Sequence, residues 1–185
     1  MPKVKTDKET IIMKSLQLIR RKGYYHTSIS DLAESCGVEK AHFYYYFRDK
    51  KDLMKEVLIY THQYIKKNIF DIAYAEKLSP RKRLNRITQM VSLYHPDSEI
   101  GCLMGNTALE TSGHEKEFEE LLTNYFDEWV KCLAFVYKTV YNEETAMKYA
   151  KDDFQCLQGA LMMMRLYHNR DYLEKALERI RTRIE

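Results

Sequence analysis

The sequence predicts an all-α fold. Its 185 residues include only 6 glycines and 3 prolines. No stretch alternates apolar and polar residues over the length of a strand. Amphipathic windows, with apolar residues at i, i+3, i+4 and i+7, recur along the whole chain. About nine helices are expected, divided between a three-helix unit over 1–50 and a larger helical portion over 51–185.

The first helix opens on Thr6 and Glu9, which have the spacing of a capping box. Ile12, Leu16 and Ile19 follow on one face, with Ile11, Ser15 and Leu18 alongside. Arg20, Arg21 and Lys22 complement the negative helix end, and Gly23 stops the helix. Ser28 then caps a short second helix, with Asp31 near its positive end. Ile29, Leu32, Ala33 and Cys36 form the buried face of that helix. Gly37 supplies the residue free to take positive φ, and Val38 fills the space beneath the turn. From Glu39 the chain is helical again. Phe43 and Phe47 face inward, while Lys40, Ala41, His42, Tyr45 and Tyr46 point outward or flank the contact. Ala41 is small enough for a close backbone approach. Two short helices around a Gly-Val turn, the second rich in basic and aromatic residues, are the layout of a helix-turn-helix, which sets its second helix in the DNA major groove.

A fourth helix starts near Lys50 and continues through Leu53, Val57, Tyr60, Tyr64 and Ile65. Leu78-Ser79-Pro80 marks a break, since proline suits a first helical turn. Leu84, Ile87, Met90, Val91 and Tyr94 are the face of a fifth helix that His95-Pro96-Asp97 ends. Gly101 to Asn106 opens a short helix through Leu109, broken at Ser112-Gly113-His114. A long helix then carries Phe118, Leu121, Leu122, Tyr125, Trp129, Leu133, Val136 and Val140.

Two helices close the chain. Phe154, Leu157, Leu161 and Met164 recur at three-four spacing on one, and Leu173, Ala176, Leu177, Ile180 and Ile184 on the other. Both stripes exceed what one subunit needs to cover. Pairing with a second copy through Phe154, Leu157, Leu161, Met164, Leu173, Leu177 and Ile180 gives a four-helix bundle. A helix-turn-helix that reads two half-sites needs such a homodimer and a palindromic double-stranded operator.

Composition limits the alternatives. Residues 1–58 carry 12 Lys and Arg against 8 Asp and Glu, and the remainder 18 against 19, so the excess positive charge lies where phosphate attraction needs it. Lys3, Lys5 and Lys8 form a basic arm that is expected to be a solvated end. No apolar run reaches the roughly 18 residues that span a bilayer, and no signal-peptide block is present; a cytoplasmic protein without membrane contact is expected. The 4 cysteines form no CxxC pair, which argues against a disulfide scaffold or a zinc finger. The sequence contains no phosphate loop, HExxH or GxSxG, and the histidines pair on no helix face. No enzymatic activity, metal or cofactor is expected.

The run Gly23-Tyr24, Thr27-Ser28, Asp31-Leu32-Ala33, Gly37-Val38, Phe43-Tyr44-Tyr45-Tyr46-Phe47, Lys50 and Leu53 resembles, without gaps, the TetR family of bacterial transcriptional regulators. Glu39, Ala41 and Cys36 stand where serine, glycine and alanine are usual in that family. The resemblance implies a DNA-binding domain joined to a larger ligand-binding and dimerisation domain. It implies phosphate contacts from Thr27, Ser28, Tyr44, Tyr46 and Lys50, and base contacts from Lys40, Ala41, His42 and Tyr45. It further implies a dimeric repressor released by a small apolar or amphipathic effector. Tyr64, Met90, Tyr94, Cys102, Met104, Phe126, Trp129, Tyr137 and Met163 are the large or adaptable residues expected to line the effector site. The GCLMGNTALE segment, the tryptophan helix and LQGALMMMRL resemble a branch with members that sense electrophiles or oxidants through the cysteine matching Cys102, which makes a thiol switch the alternative reading. The further alternative is a helical scaffold that uses the motif for protein contact.

Overall fold

The computed structural model describes residues 7–184. Its order is α1 (Lys8–Lys22), α2 (Ile29–Cys36), α3 (Lys40–Tyr46), α4 (Lys50–Ile65), a π-helical turn (Lys66–Phe70), α5 (Asp71–Ala73), α6 (Pro80–Tyr94), α7 (Leu103–Thr111), α8 (Lys116–Tyr137), α9 (Glu143–Tyr167) and α10 (Asp171–Arg181). The described residues contain no strand. Their contacts fall into two compact units. One is the chain up to Thr61 together with Leu103–Leu122; the other is His62–Cys102 together with Thr123–Glu185. This grouping differs from a division at residue 50, because α7 and the start of α8 pack with the amino-terminal helices.

In the first unit, Ile11 and Ile19 of α1, Leu32 of α2, Phe43 of α3 and Leu53, Met54, Val57 and Leu58 of α4 are almost fully buried. Helix α1 starts one residue later than the Thr6–Glu9 pairing implies. Asp7 is its N-cap, accepting from the Thr10 N–H at 2.8 Å, and Thr6, Lys3 and Lys5 lie outside the described residues. Ser28 and Asp31 form a reciprocal capping box at the start of α2. Gly37 takes φ +69°, and the amides of Gly37 and Val38 fold back onto Glu34 O and Ala33 O at 2.9 and 3.0 Å. This crossed pair of bonds satisfies the last carbonyls of α2 and aims α3. Lys14 Nζ adds a bond to Cys36 O at 3.3 Å, placing a cation at the negative helix end.

In the second unit, Phe70 packs edge-on against Trp129, which stacks on Phe154. Ser79 caps α6 and Pro80 opens it, as the Leu78-Ser79-Pro80 break requires. Arg83 is buried because its guanidinium donates to Leu78 O and Ala73 O at 2.9 and 3.1 Å, tying down the connection before α6. Arg170 donates to Ser92 O at 3.0 Å and to His95 O, closing the other end of α6. Asp153 of α9 is fully buried and accepts from Tyr137 Oη, Arg179 Nε and Arg183 Nε at 2.8, 2.7 and 2.8 Å, which joins α8, α9 and the end of α10. Helix α8 ends at Tyr137, so Val140 sits in an exposed turn beyond it.

The stripes assigned to a partner are used inside the chain. Leu157, Leu161, Met164, Leu173, Leu177 and Ile180 are each at most 3% exposed without any second copy, and Phe154 is 7% exposed against Trp129 and Phe126. Three-four spacing identifies a buried face but not which helix covers it. Here α10 packs against α9 and α6, which takes up its own stripe, while Phe154 at the head of the α9 stripe packs on the α8 aromatics. The apolar side chains left exposed on α9 are Met162, Leu166 and Tyr167.

Candidate nucleic-acid interface and effector cavity

Helix α3 has one fully buried residue, Phe43, whose ring lies 5.4 Å from that of Phe47. Burying this one side fixes the rotation of the helix and exposes Lys40, Ala41, Tyr44 and Tyr45; Tyr45 is 79% exposed. His42 stacks on Tyr45 at 6.5 Å and meets Tyr46 edge-on at 5.3 Å. Tyr45 and Tyr46 meet at 4.9 Å. The outer face is thus a set of mutually braced rings with one cation, Lys40, at its start. Such a surface offers donors, acceptors and flat apolar area to base edges. Glu39 makes no side-chain cap on α3.

Of the residues expected on phosphate, Ser28, Tyr44 and Tyr46 are exposed or half-buried. Thr27 is fully buried, and its hydroxyl donates to Gly23 O at 2.7 Å, so only its backbone belongs to the surface. Lys50 is turned inward: Nζ donates to Tyr24 O at 3.0 Å and lies 4.3 Å from the Tyr24 ring centroid. Burial lowers the Lys50 pKa, against the opposing pull of Glu110. The Tyr24 phenol is pushed up to about 12, mainly by burial. Asp31 is held down at about 2, first by the hydrogen bonds from the Ser28 side chain and backbone and then by Lys22. The α2 N-terminus therefore carries a fixed carboxylate at ordinary pH.

The second unit holds a cavity. Its walls are Ile65 and Ile69 around the π-helical turn, Val91, Tyr94 and His95 at the end of α6, Cys102 just before α7, Tyr125 and Trp129 of α8, and Leu157, Gln158 and Leu161 of α9. It has room for a single water. No lining residue is a carboxylate, lysine or arginine.

Of the residues expected there, Tyr94, Cys102 and Trp129 line this space. Tyr64 is 44% exposed and packs its ring on Tyr94 at 5.9 Å, outside the wall. Met104 is buried in the first unit, because the helix that follows Cys102 packs there. Met90, Phe126 and Met163 are half-buried and do not line the cavity, and Tyr137 is spent on Asp153. Leu157 and Leu161, assigned to the dimer, are cavity wall. Tyr125 was legible in principle, being one helical turn from Trp129. Ile65, Ile69 and Gln158 carried no distinguishing signal. Among the described residues no group of three His, Cys, Asp or Glu could hold a metal ion, and no helix is long and apolar enough to cross a membrane.

Residues 11–57 match the model of bacterial regulatory proteins of the tetR family, and residues 81–179 match the LmrA/YxaF-like transcriptional regulator C-terminal domain. A regulator of the helix-turn-helix type from the lacX 3' region of Lactococcus lactis subsp. lactis is 25% identical over 98% of this chain and 95% of its own length. The HTH-type transcriptional repressor DhaR of Mycobacterium sp. (strain GP1) is 25% identical over 92% of this chain and 88% of its own. A TetR transcriptional regulator from Legionella pneumophila shares the fold with a TM-score of 0.89 at 23% identity, over 99% of this chain and 100% of that one. With both halves of the chain accounted for, the protein belongs to the TetR family of DNA-binding transcriptional regulators.

Proposed function

We propose that this protein is a homodimeric repressor without enzymatic activity, released from a palindromic operator when a small uncharged effector enters the cavity behind Trp129. The observation that carries the reading is the α3 surface: one buried anchor, Phe43, and an opposite face on which Lys40, Ala41, Tyr44 and Tyr45 are exposed and His42 is half-buried. Regulators of this family bind DNA operators as dimers. Ser28, Tyr44 and Tyr46 contact phosphate in this reading, and Lys40, Ala41, His42 and Tyr45 read bases. Lys50 contributes by bracing the turn at Tyr24, and Thr27 through its backbone.

The surface for a second copy is the exposed side of α9, with Met162 and Leu166 at its centre. Gly159 lies one turn earlier, and a Cβ there would meet nothing within 4 Å. Glycine inside a helix costs about 1 kcal/mol relative to alanine. That cost has a use where another backbone crosses closely.

The effector reading rests on a cavity whose wall is aromatic and aliphatic, with Tyr94, His95, Tyr125 and Gln158 as polar points. With room for one water, it admits an effector only as its wall moves. Such a ligand acts by binding the opened state better than the closed one. The thiol reading keeps one observation: Cys102 lines the cavity and stands directly before the first residue of α7. Treatment with N-ethylmaleimide followed by DNA titration separates the two. In the thiol reading the reagent releases wild type but not Cys102→Ser; release of neither leaves cavity occupancy as the mechanism, and equal release of both assigns the effect to another thiol, such as the half-buried Cys156.

The test of the whole reading is fluorescence anisotropy with a labelled duplex from the region upstream of the protein's own gene. Affinity falls on the order of a thousandfold between about 50 and 200 mM salt for six or more phosphate contacts. Tyr44→Ala weakens binding to all sequences alike, whereas Lys40→Ala or His42→Ala changes preference at single base pairs by about 1–3 kcal/mol. A protein-contact scaffold leaves the duplex unbound at either salt.

A further inference from the structure

We infer that Glu110, on α7, is a positioning residue for DNA binding: its carboxylate tethers the Gly23–Tyr25 turn and thereby sets the N-terminus of α2. The inference rests on the DNA-binding reading and adds a residue that lies 85 positions away in sequence and outside the helix-turn-helix. The Tyr25 N–H donates to Glu110 Oε2 at 3.0 Å. Gly23, at φ +88°, brings its backbone so close that a Cβ there would stand 2.7 Å from Glu110 Oε1. The same turn is gripped from two further sides. Tyr24 packs edge-on against Phe118 at 5.3 Å, and Tyr24 O accepts from Lys50 Nζ at 3.0 Å. Thr27 is then locked to Gly23 O, and the next residue is the Ser28 cap of α2. The tether thus acts on the amide run that leads into the expected phosphate-binding end of α2, through hydrogen bonds shorter than 3.1 Å at each step.

Electrostatics alone gives the opposite sign, which makes the role testable. Glu110 places a negative charge in the unit that must approach a polyanion, so its removal as a mere charge tightens binding. Its retention beside the turn is explained by a bond that a neutral side chain of the same shape could also accept.

The experiment compares wild type, Glu110→Ala and Glu110→Gln in the same duplex titration at two salt concentrations. Glu110→Ala is expected to bind about tenfold more weakly, the size of a lost charge-assisted hydrogen bond. Its plot of log affinity against log salt is expected to be shallower by about one phosphate contact. Glu110→Gln accepts the Tyr25 bond through its amide oxygen and is expected to match wild type or bind more tightly. Alanine binding as well as wild type, or glutamine losing as much as alanine, overturns the proposal. If Glu110→Ala is poorly folded by circular dichroism, Glu110→Met takes its place: it keeps the length of the side chain but offers the Tyr25 N–H no oxygen. The same tenfold loss is expected, and Glu110→Met binding as well as wild type overturns the inference. Failure of wild type itself to bind the duplex instead removes the DNA-binding reading, and this proposal with it.

Discussion

Ser15 shows how a single residue escapes a periodicity argument. It sits on the buried face of α1 beside Ile11, Ile12 and Ile19, is fully buried, and its hydroxyl has no hydrogen-bond partner among the described residues. A buried unpaired hydroxyl costs on the order of 1–3 kcal/mol, and alanine is a better helix former. Ser15→Ala is therefore expected to stabilise the protein by about 1 kcal/mol, seen as a higher urea midpoint at unchanged slope. Asp153 is the opposite case, a buried charge with every bond made. Burial pushes its carboxyl up, but the bonds from Arg183, Arg179 and Tyr137 win, and its pKa is lowered overall. A depressed folded value stabilises at pH above the unfolded carboxylate range near 4 and is lost as pH falls through the folded value. Asp153→Asn is expected to cost about 3 kcal/mol at pH 7. The gap to wild type narrows below about pH 4, and thermal unfolding at both pH values measures it. An undiminished gap at low pH contradicts the ionic account.

Among the elements, those with strong local signals were legible from sequence. The α2–α3 pair follows from Ser28, Gly37 and Phe43, because a cap, a positive-φ turn and a buried anchor are each decided by a few neighbouring residues. The same holds for the start of α6 at Ser79-Pro80 and its stop at His95. The π-helical turn at Lys66–Phe70 was not legible. Its register depends on Ile65 and Ile69 facing the cavity while Asn68 Nδ2 reaches back to Tyr64 O at 2.8 Å, and on Phe70 meeting Trp129. Such turns are often placed at functional sites. Deleting Asn68 removes the extra residue and rotates Ile69 out of the wall. The variant is expected to keep its DNA affinity and helical content but to expose Trp129, read as a red shift of its fluorescence. An unshifted spectrum argues that the turn does not shape the cavity.

For the whole molecule, assembly follows from which apolar faces the chain leaves uncovered. Met162→Arg with Leu166→Arg is expected to convert a dimer into a 22.2 kDa monomer by light scattering, while Leu93→Arg, exposed on α6, leaves the mass unchanged. A dimer that survives the double change places the interface elsewhere. The helical class, the motif at Ser28–Phe47 and its outward residues were readable from the order of residues, because caps, turns and one-face periodicity are encoded within a few residues of each other. What covers each apolar stripe was set by long-range packing in the folded chain. The Leu157–Leu161 face became cavity wall, the α10 stripe became core, and Lys50 and Glu110 became supports of a turn rather than surface charges. Periodicity states that a face is buried; the identity of its neighbour depends on chain segments tens of residues away, and no local pattern records it.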